Sequence, residues 1–132
     1  MKIAADTNTY LAVALNEPER ENLISLTSGH ELVAPEVLPF EIGNSLSAMV
    51  KRGRLTQEES FAVYDIIKQV PVELRKVDIR QSIRIATEYK IYAYDAYWLE
   101  CARKINCSII TLDKQMRMVA RDMGLKIIEV EK

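Results

Sequence analysis

Two rhythms of apolar and polar residues alternate along the chain, and the switches between them mark short strands and amphipathic helices. Lys2, Ile3, Ala4 and Ala5 read as a first strand that stops at Asp6-Thr7-Asn8. Thr7 or Asn8 can cap a short helix with Leu11, Ala12 and Leu15 inward. Asn16-Glu17-Pro18 opens a second helix, with proline in its first turn. Leu23, Ile24 and Leu26 give it apolar surface, and Ser28-Gly29-His30 ends it. Leu32, Val33 and Ala34 make a second strand. Pro35 then opens a longer helix with Leu38, Ile42, Leu46, Met49 and Val50 on its core face, ended by Arg52-Gly53-Arg54. Pro39 belongs in its first turns or kinks it.

Thr56-Gln57-Glu58-Glu59 is a capping-box pattern, and the helix behind it should bury Val63, Ile66, Ile67 and Val70. Pro71-Val72-Glu73-Leu74 is a third strand or an extended connection. Asp78 caps a further helix with Ile79, Ile83 and Ala86 inward. Asp95 reads as the N-cap of the next, which carries Trp98, Leu99, Ala102 and Ile105 on its apolar stripe and stops at Asn106. Residues 108–112 form a β-branched strand. Asp113 opens a helix facing inward with Met116, Val119, Ala120 and Met123, closed by Gly124, and 126–130 is a last strand.

Strands alternating with helices predict a three-layer α/β domain, a mostly parallel central sheet flanked by helices, spanning 1–132 as one unit. In such sheets the strand C-termini share one edge, and ligands bind there. Asp6 and Asp113 each follow a strand, so both should face that crevice.

Composition narrows the chemistry. The chain has 132 residues, enough for one core, and a net charge of −1, so any polyanion must be held by local patches. Cys101 and Cys107 lack zinc spacing and suit reduced thiols in a cytoplasmic protein. The first residues do not make a signal peptide, and nothing approaches a membrane span. The single histidine, His30, follows Gly29 in a turn, which excludes catalysis by paired histidines.

Four acids stand out: Asp6, Glu41, Asp95 and Asp113. Each alone has an ordinary explanation as a cap or a solvated helix position. Gathered in one crevice they would repel, and either protons or cations must neutralise them. An all-oxygen site without His or Cys suits Mg²⁺ or Mn²⁺, ions that activate water and hold phosphodiester oxygens. Thr111 can place its hydroxyl at the same edge, and Asn8 can orient Asp6 or a metal-bound water.

Asp6-Thr7-Asn8, Pro39-Phe40-Glu41-Ile42-Gly43-Asn44-Ser45-Leu46, Tyr94-Asp95-Ala96 and Ile110-Thr111-Leu112-Asp113, in this order, resemble PIN-domain ribonucleases, above all the VapC toxins of toxin–antitoxin pairs. The resemblance implies a Mg²⁺- or Mn²⁺-dependent endoribonuclease acting on structured RNA such as tRNA or rRNA. It makes Asp6, Glu41, Asp95 and Asp113 the catalytic and metal-binding quartet. It also implies a VapB-like antitoxin partner, docked in an apolar groove beside the early helices, and a homodimer. Lys51, Arg52, Arg54, Lys114 and Arg117 are candidate RNA contacts, with Arg103, Lys104 and Arg121 as further cations. Tyr92 and Tyr94 either stack an unpaired base or pack in the core. Two other readings remain at this stage: an inactive PIN-like scaffold for protein or RNA, and a phosphatase with Asp6 as nucleophile. The second lacks the further Asp that haloacid-dehalogenase-like enzymes carry where Asn8 stands.

Overall fold

A computed structural model describes residues 1–131 of the chain. Its elements run β1 (Lys2–Ala5), α1 (Thr7–Ala14), α2 (Arg20–Thr27), β2 (Glu31–Pro35), α3 (Leu38–Lys51), α4 (Gln57–Lys68), β3 (Val72–Arg75), α5 (Ile79–Tyr89), α6 (Ala93–Ile105), β4 (Ser108–Ile110) and α7 (Lys114–Asp122). The four strands pair in parallel in the order β3-β2-β1-β4. Each parallel pair needs a crossover, and crossovers in one sheet share one hand. From β1 through β2 to β3 the chain moves one way; from β3 to β4 it returns. Helices α5 and α6 therefore cover the face opposite to the early helices. The sheet is buried on both faces: Ile3, Ala4, Val33, Ala34, Ile109 and Ile110 have no exposed surface.

The reversal of direction puts β1 beside β4, and the crevice beyond their C-terminal ends is where this topology places ligands. Asp6 leaves β1 there, and Asp113 follows β4.

The capping box of α4 is present as the sequence predicts, with Thr56 and Glu59 each accepting the other's backbone N–H. Several boundaries differ. Pro35 ends β2 rather than opening a helix; the donor it lacks is supplied by the next residue, whose N–H reaches the Arg75 carbonyl at 2.9 Å. Helix α2 starts at Arg20, with Pro18 in the preceding turn. The strand expected at 108–112 stops at Ile110, and 126–130 contributes one bridge, Ile127 to Ile109, because β4 offers only a short outer edge.

Two helix faces are also rotated from expectation. Ile66 is 51% exposed while Val63 and Ile67 are buried. On α5, Ser82 and Ile85 face inward and Ile79 and Ile83 face solvent. Ser82 tolerates burial because its hydroxyl donates to the Asp78 carbonyl at 2.9 Å.

Candidate functional site

Asp6 is fixed first by the backbone. Its N–H donates to the Ile110 carbonyl at 3.1 Å, extending the β1–β4 ladder one residue past the strand. Its side chain, rather than Thr7 or Asn8, caps α1: one oxygen accepts from the Thr9 N–H at 3.1 Å and the Thr9 hydroxyl at 2.8 Å. The other accepts from the Thr111 hydroxyl at 2.5 Å. Burial raises the Asp6 pKa despite these bonds, and the negative charge of Asp113 adds to the rise.

Thr111 joins the two strand-end acids. Its buried hydroxyl donates to Asp6 and accepts the Asp113 N–H at 3.0 Å. Asp113 in turn caps α7, accepting the Met116 N–H at 2.9 Å.

Glu41 arrives on the first turn of α3, where Pro39 is tolerated because that turn has no intrahelical donor to lose. The Trp98 indole N–H donates to Glu41 at 3.0 Å and ties α3 to α6. Burial raises the Glu41 pKa, and the charges of Asp95 and Asp6 raise it further. Asp95 sits in the first turn of α6 but is not its cap; Tyr92 holds that position without a side-chain bond. Its pKa is raised too, by burial and then by Asp113.

The four predicted acids lie toward one edge in a chain of neighbours: Asp6 and Asp95 each feel the charge of Asp113, and Glu41 feels Asp95 and Asp6. They form a gradient, with Asp6 buried, Glu41 and Asp95 half-buried, and Asp113 exposed. No ion pair among the described residues includes any of them. The donor set suits a hard divalent cation: carboxylate oxygens, with the Thr7 hydroxyl close enough to Glu41 to favour its charged form. No three acidic, His or Cys side chains among the described residues stand together as a ready cage. Mg²⁺ needs no such cage, since it commonly takes one or two carboxylates and keeps several waters.

The sequence model of the PIN domain matches residues 3–122, which includes all four acids. The chain belongs to the PIN domain family. Among curated proteins it is 23% identical to Ribonuclease VapC3 of Pyrobaculum aerophilum over 121 residues, covering 88% of this chain and 92% of that protein. Among solved structures, PAE2754 from Pyrobaculum aerophilum superposes with a TM-score of 0.73 at 16% identity, covering 96% of this chain and 83% of that one. VapBC2 from Rickettsia felis, bound to a DNA fragment from their promoter, gives 0.72 at 13% identity, covering 99% and 100%. At these identities the two structures speak for a shared PIN fold.

Around the acids of this PIN domain the other candidates divide. Lys114 and Arg117 follow Asp113 in the first turns of α7, and the Arg117 guanidinium donates to the Thr111 carbonyl at 3.2 Å. Lys51, Arg52 and Arg54 are exposed at the far end of α3, about 15 Å along the helix from Glu41 at its usual rise. Arg103 is engaged elsewhere, gripping Glu100 through two bonds of 2.7 and 2.9 Å, and Arg121 pairs with Glu129. Asn8 is exposed, and the role expected of it toward Asp6 falls to Thr9, one residue on. Tyr92 and Tyr94 are 82% and 57% exposed, which removes the core-packing reading. His30 lies at the surface beside the amino terminus.

Trp98 and Thr9 were not singled out by sequence. Trp98 lies three residues after Asp95 and so shares its helix face, and Thr9 occupies the third helical position behind an Asp cap.

Proposed function

We propose that this PIN domain is a Mg²⁺- or Mn²⁺-dependent endoribonuclease, the VapC-type toxin of a toxin–antitoxin pair, acting on structured RNA such as tRNA or rRNA. The observation that carries the reading is the gathering of Asp6, Glu41, Asp95 and Asp113, three of them with raised pKa and none with a cationic partner. Similarity to Ribonuclease VapC3 along most of the chain supports the same chemistry.

Asp6 and Asp95 are the first ligands in this account, with Asp113 and Glu41 completing the set. A bound divalent ion would supply an acidified water and hold the phosphodiester oxygens. Thr9 and Thr111 lock the Asp6 carboxylate in one orientation. Trp98 holds one oxygen of Glu41 and so fixes the orientation of its carboxylate at the site. The products are a 5′-phosphate and a 3′-hydroxyl. One Asp6 oxygen accepts two hydrogen bonds, and the other accepts only from Thr111, which leaves a lone pair for a cation.

An antitoxin segment is proposed for the apolar cavity of about 250 Å³ bounded by α1, α2 and α4, where Tyr10, Val13, Leu23, Ile24 and Ile66 line the wall. Co-purification with the small product of a neighbouring gene, lost on placing a charge at Val13, tests that partner. A homodimer is the accompanying proposal and is read from solution mass.

The function is tested by incubating antitoxin-free protein with a tRNA and rRNA pool in Mg²⁺, Mn²⁺ or EDTA, wild type against Asp95→Asn. Discrete cuts that need both metal and Asp95, with 5′-phosphate ends, are expected. A 2′,3′-cyclic phosphate product, or cuts that persist in EDTA, would exclude it.

A further inference from the structure

Strand β3 ends the sheet, and its outer edge has no partner strand among the described residues. The parallel register sets Pro35 beside Arg75, and the Glu36 N–H donates to the Arg75 carbonyl at 2.9 Å. Arg75 therefore turns its backbone groups toward β2. Alternation along a strand gives Glu73 the same direction and turns the N–H and C=O of Leu74 outward. Side chains alternate as well. Val72 and Leu74 face α3 and α4, where they line a cavity of about 160 Å³ with Pro39, Ile42 and Tyr64. Leu74 is 46% exposed and Tyr64 38%. Tyr64 also lines a neighbouring cavity with Phe61, so apolar surface runs from the edge strand across α4. Glu73 and Arg75 stand on the opposite face. There the Lys2 ammonium lies 3.4 Å from the Glu73 carboxylate, and the Arg75 guanidinium 3.2 Å from it.

Short length and charged side chains usually guard such an edge against pairing. Here the order of the charges favours one particular pairing. Two copies of Glu73-Leu74-Arg75, laid antiparallel about a two-fold axis at Leu74, put each Glu73 opposite the other copy's Arg75. At the axis the two Leu74 residues exchange N–H···O=C bonds, with Cα atoms about 5.5 Å apart. Opposite charges in facing positions stabilise a strand pair, and a two-fold contact has to be self-complementary in this way. On the other face the two exposed Leu74 side chains meet. A ladder of four residues falls short of the roughly 1,000 Å² that a specific interface buries, and the apolar surface of α4 around Tyr64 supplies the remainder.

We infer that β3 is the surface through which two copies of this chain join, edge to edge, into one continuous sheet. The inference gives the homodimer proposed above its contact, and it rests on no part of the ribonuclease reading. Antiparallel joining sends the strand C-termini of the two copies to opposite edges of the combined sheet, so both acid clusters stay open.

The test is an exchange of charge, read by sedimentation velocity. Glu73→Arg and Arg75→Glu each place like charges opposite one another twice in a pair, and each should raise the dimer dissociation constant roughly tenfold or more. Mixed in equal amounts, the two variants should associate about as tightly as wild type, because every facing pair is then opposite in sign. Leu74→Pro removes the outward N–H and leaves the β2 ladder intact, and it should be monomeric. Melting curves identify any variant that fails to fold; if a reversal does, Leu74→Pro carries the test alone. Monomeric wild type at its highest soluble concentration would overturn the inference. A wild-type dimer that survives in folded Leu74→Pro would overturn it too, since the contact would then lie elsewhere, and so would folded reversals that do not recover on mixing. A dimer that behaves as expected but cuts no RNA would defeat the ribonuclease reading and leave this interface standing.

Discussion

Glu100, in the middle of α6, is 1% exposed, and Asp6, at the end of β1, is 6% exposed. Glu100 is gripped by Arg103 one helical turn on, through two short bonds. Asp6 has only two hydroxyls and an N–H, and its nearest charged company is another acid. A buried carboxylate left without a cation is costly, and neutral hydrogen bonds offset only part of the cost. Glu100 is thus an acid whose charge is balanced inside the fold. Asp6, with Glu41, Asp95 and Asp113, is a set whose charge is left for something else to balance. The difference is the one the proposed function draws on, and it makes no reference to either residue's position in a motif.

The widest gap between the two regions should appear in activity. Asp95→Asn should cut RNA more than 100-fold slower than wild type, beyond the roughly 10–100-fold typical of losing an outer partner of a metal ligand. Its melting temperature should hold or rise, because one repelling charge is gone. Arg103→Ala should do the opposite. It strands Glu100 in the core at a cost of roughly 1–3 kcal/mol, less than a fully buried pair because the Arg103 side chain is half exposed, and cleavage stays within about twofold. Parallel cleavage assays and melts of the two variants would break the comparison if their profiles were the same.

Thr111→Val sharpens it. The variant keeps the shape and removes the hydroxyl that serves both Asp6 and Asp113. A stability loss of about 1–2 kcal/mol in chemical denaturation should accompany a roughly 10–100-fold loss of cleavage.

Acidity gives a smaller signal. Asp6, Glu41 and Asp95 have folded pKa values raised above 3.8, 4.5 and 3.8. The folded state therefore holds protons that the unfolded chain has already released, and stability falls as pH rises from about 4 through the raised values. Melts in EDTA should show this decline, and Asp6→Asn should flatten it. A curve that rises through the same window would mean that the acids are balanced after all. The smallest effect belongs to Arg117→Ala, which should weaken RNA binding modestly and lower the slope of affinity against salt by about one charge.

Much of this was legible in the chain. The acids end strands or sit in first helical turns, and the alternation of strands and helices fixes which edge they share. The details depended on neighbours that a local pattern does not contain. Asp6, Thr7 and Asn8 are all good caps, and only the bond to Thr111, 105 residues away, shows why Asp6 takes the position. Asp95 looks like a cap, yet α5 ends at Lys90 in a left-handed turn and α6 begins before Asp95 is reached. Arg103 has the sequence of a free surface cation and the geometry of a committed one. The inward face of α5 was misplaced because a buried serine that bonds its own helix looks polar in the pattern.

The central claim is that the four acids are unbalanced because they hold a divalent cation. Calorimetric titration of Mn²⁺ into metal-free protein at pH 7 tests it directly, with wild type, Asp6→Asn/Asp95→Asn and Glu100→Gln side by side. Saturable binding in wild type and Glu100→Gln, lost in the double variant, is the predicted result. No binding in folded wild-type protein, or binding that survives in Asp6→Asn/Asp95→Asn, would contradict the account.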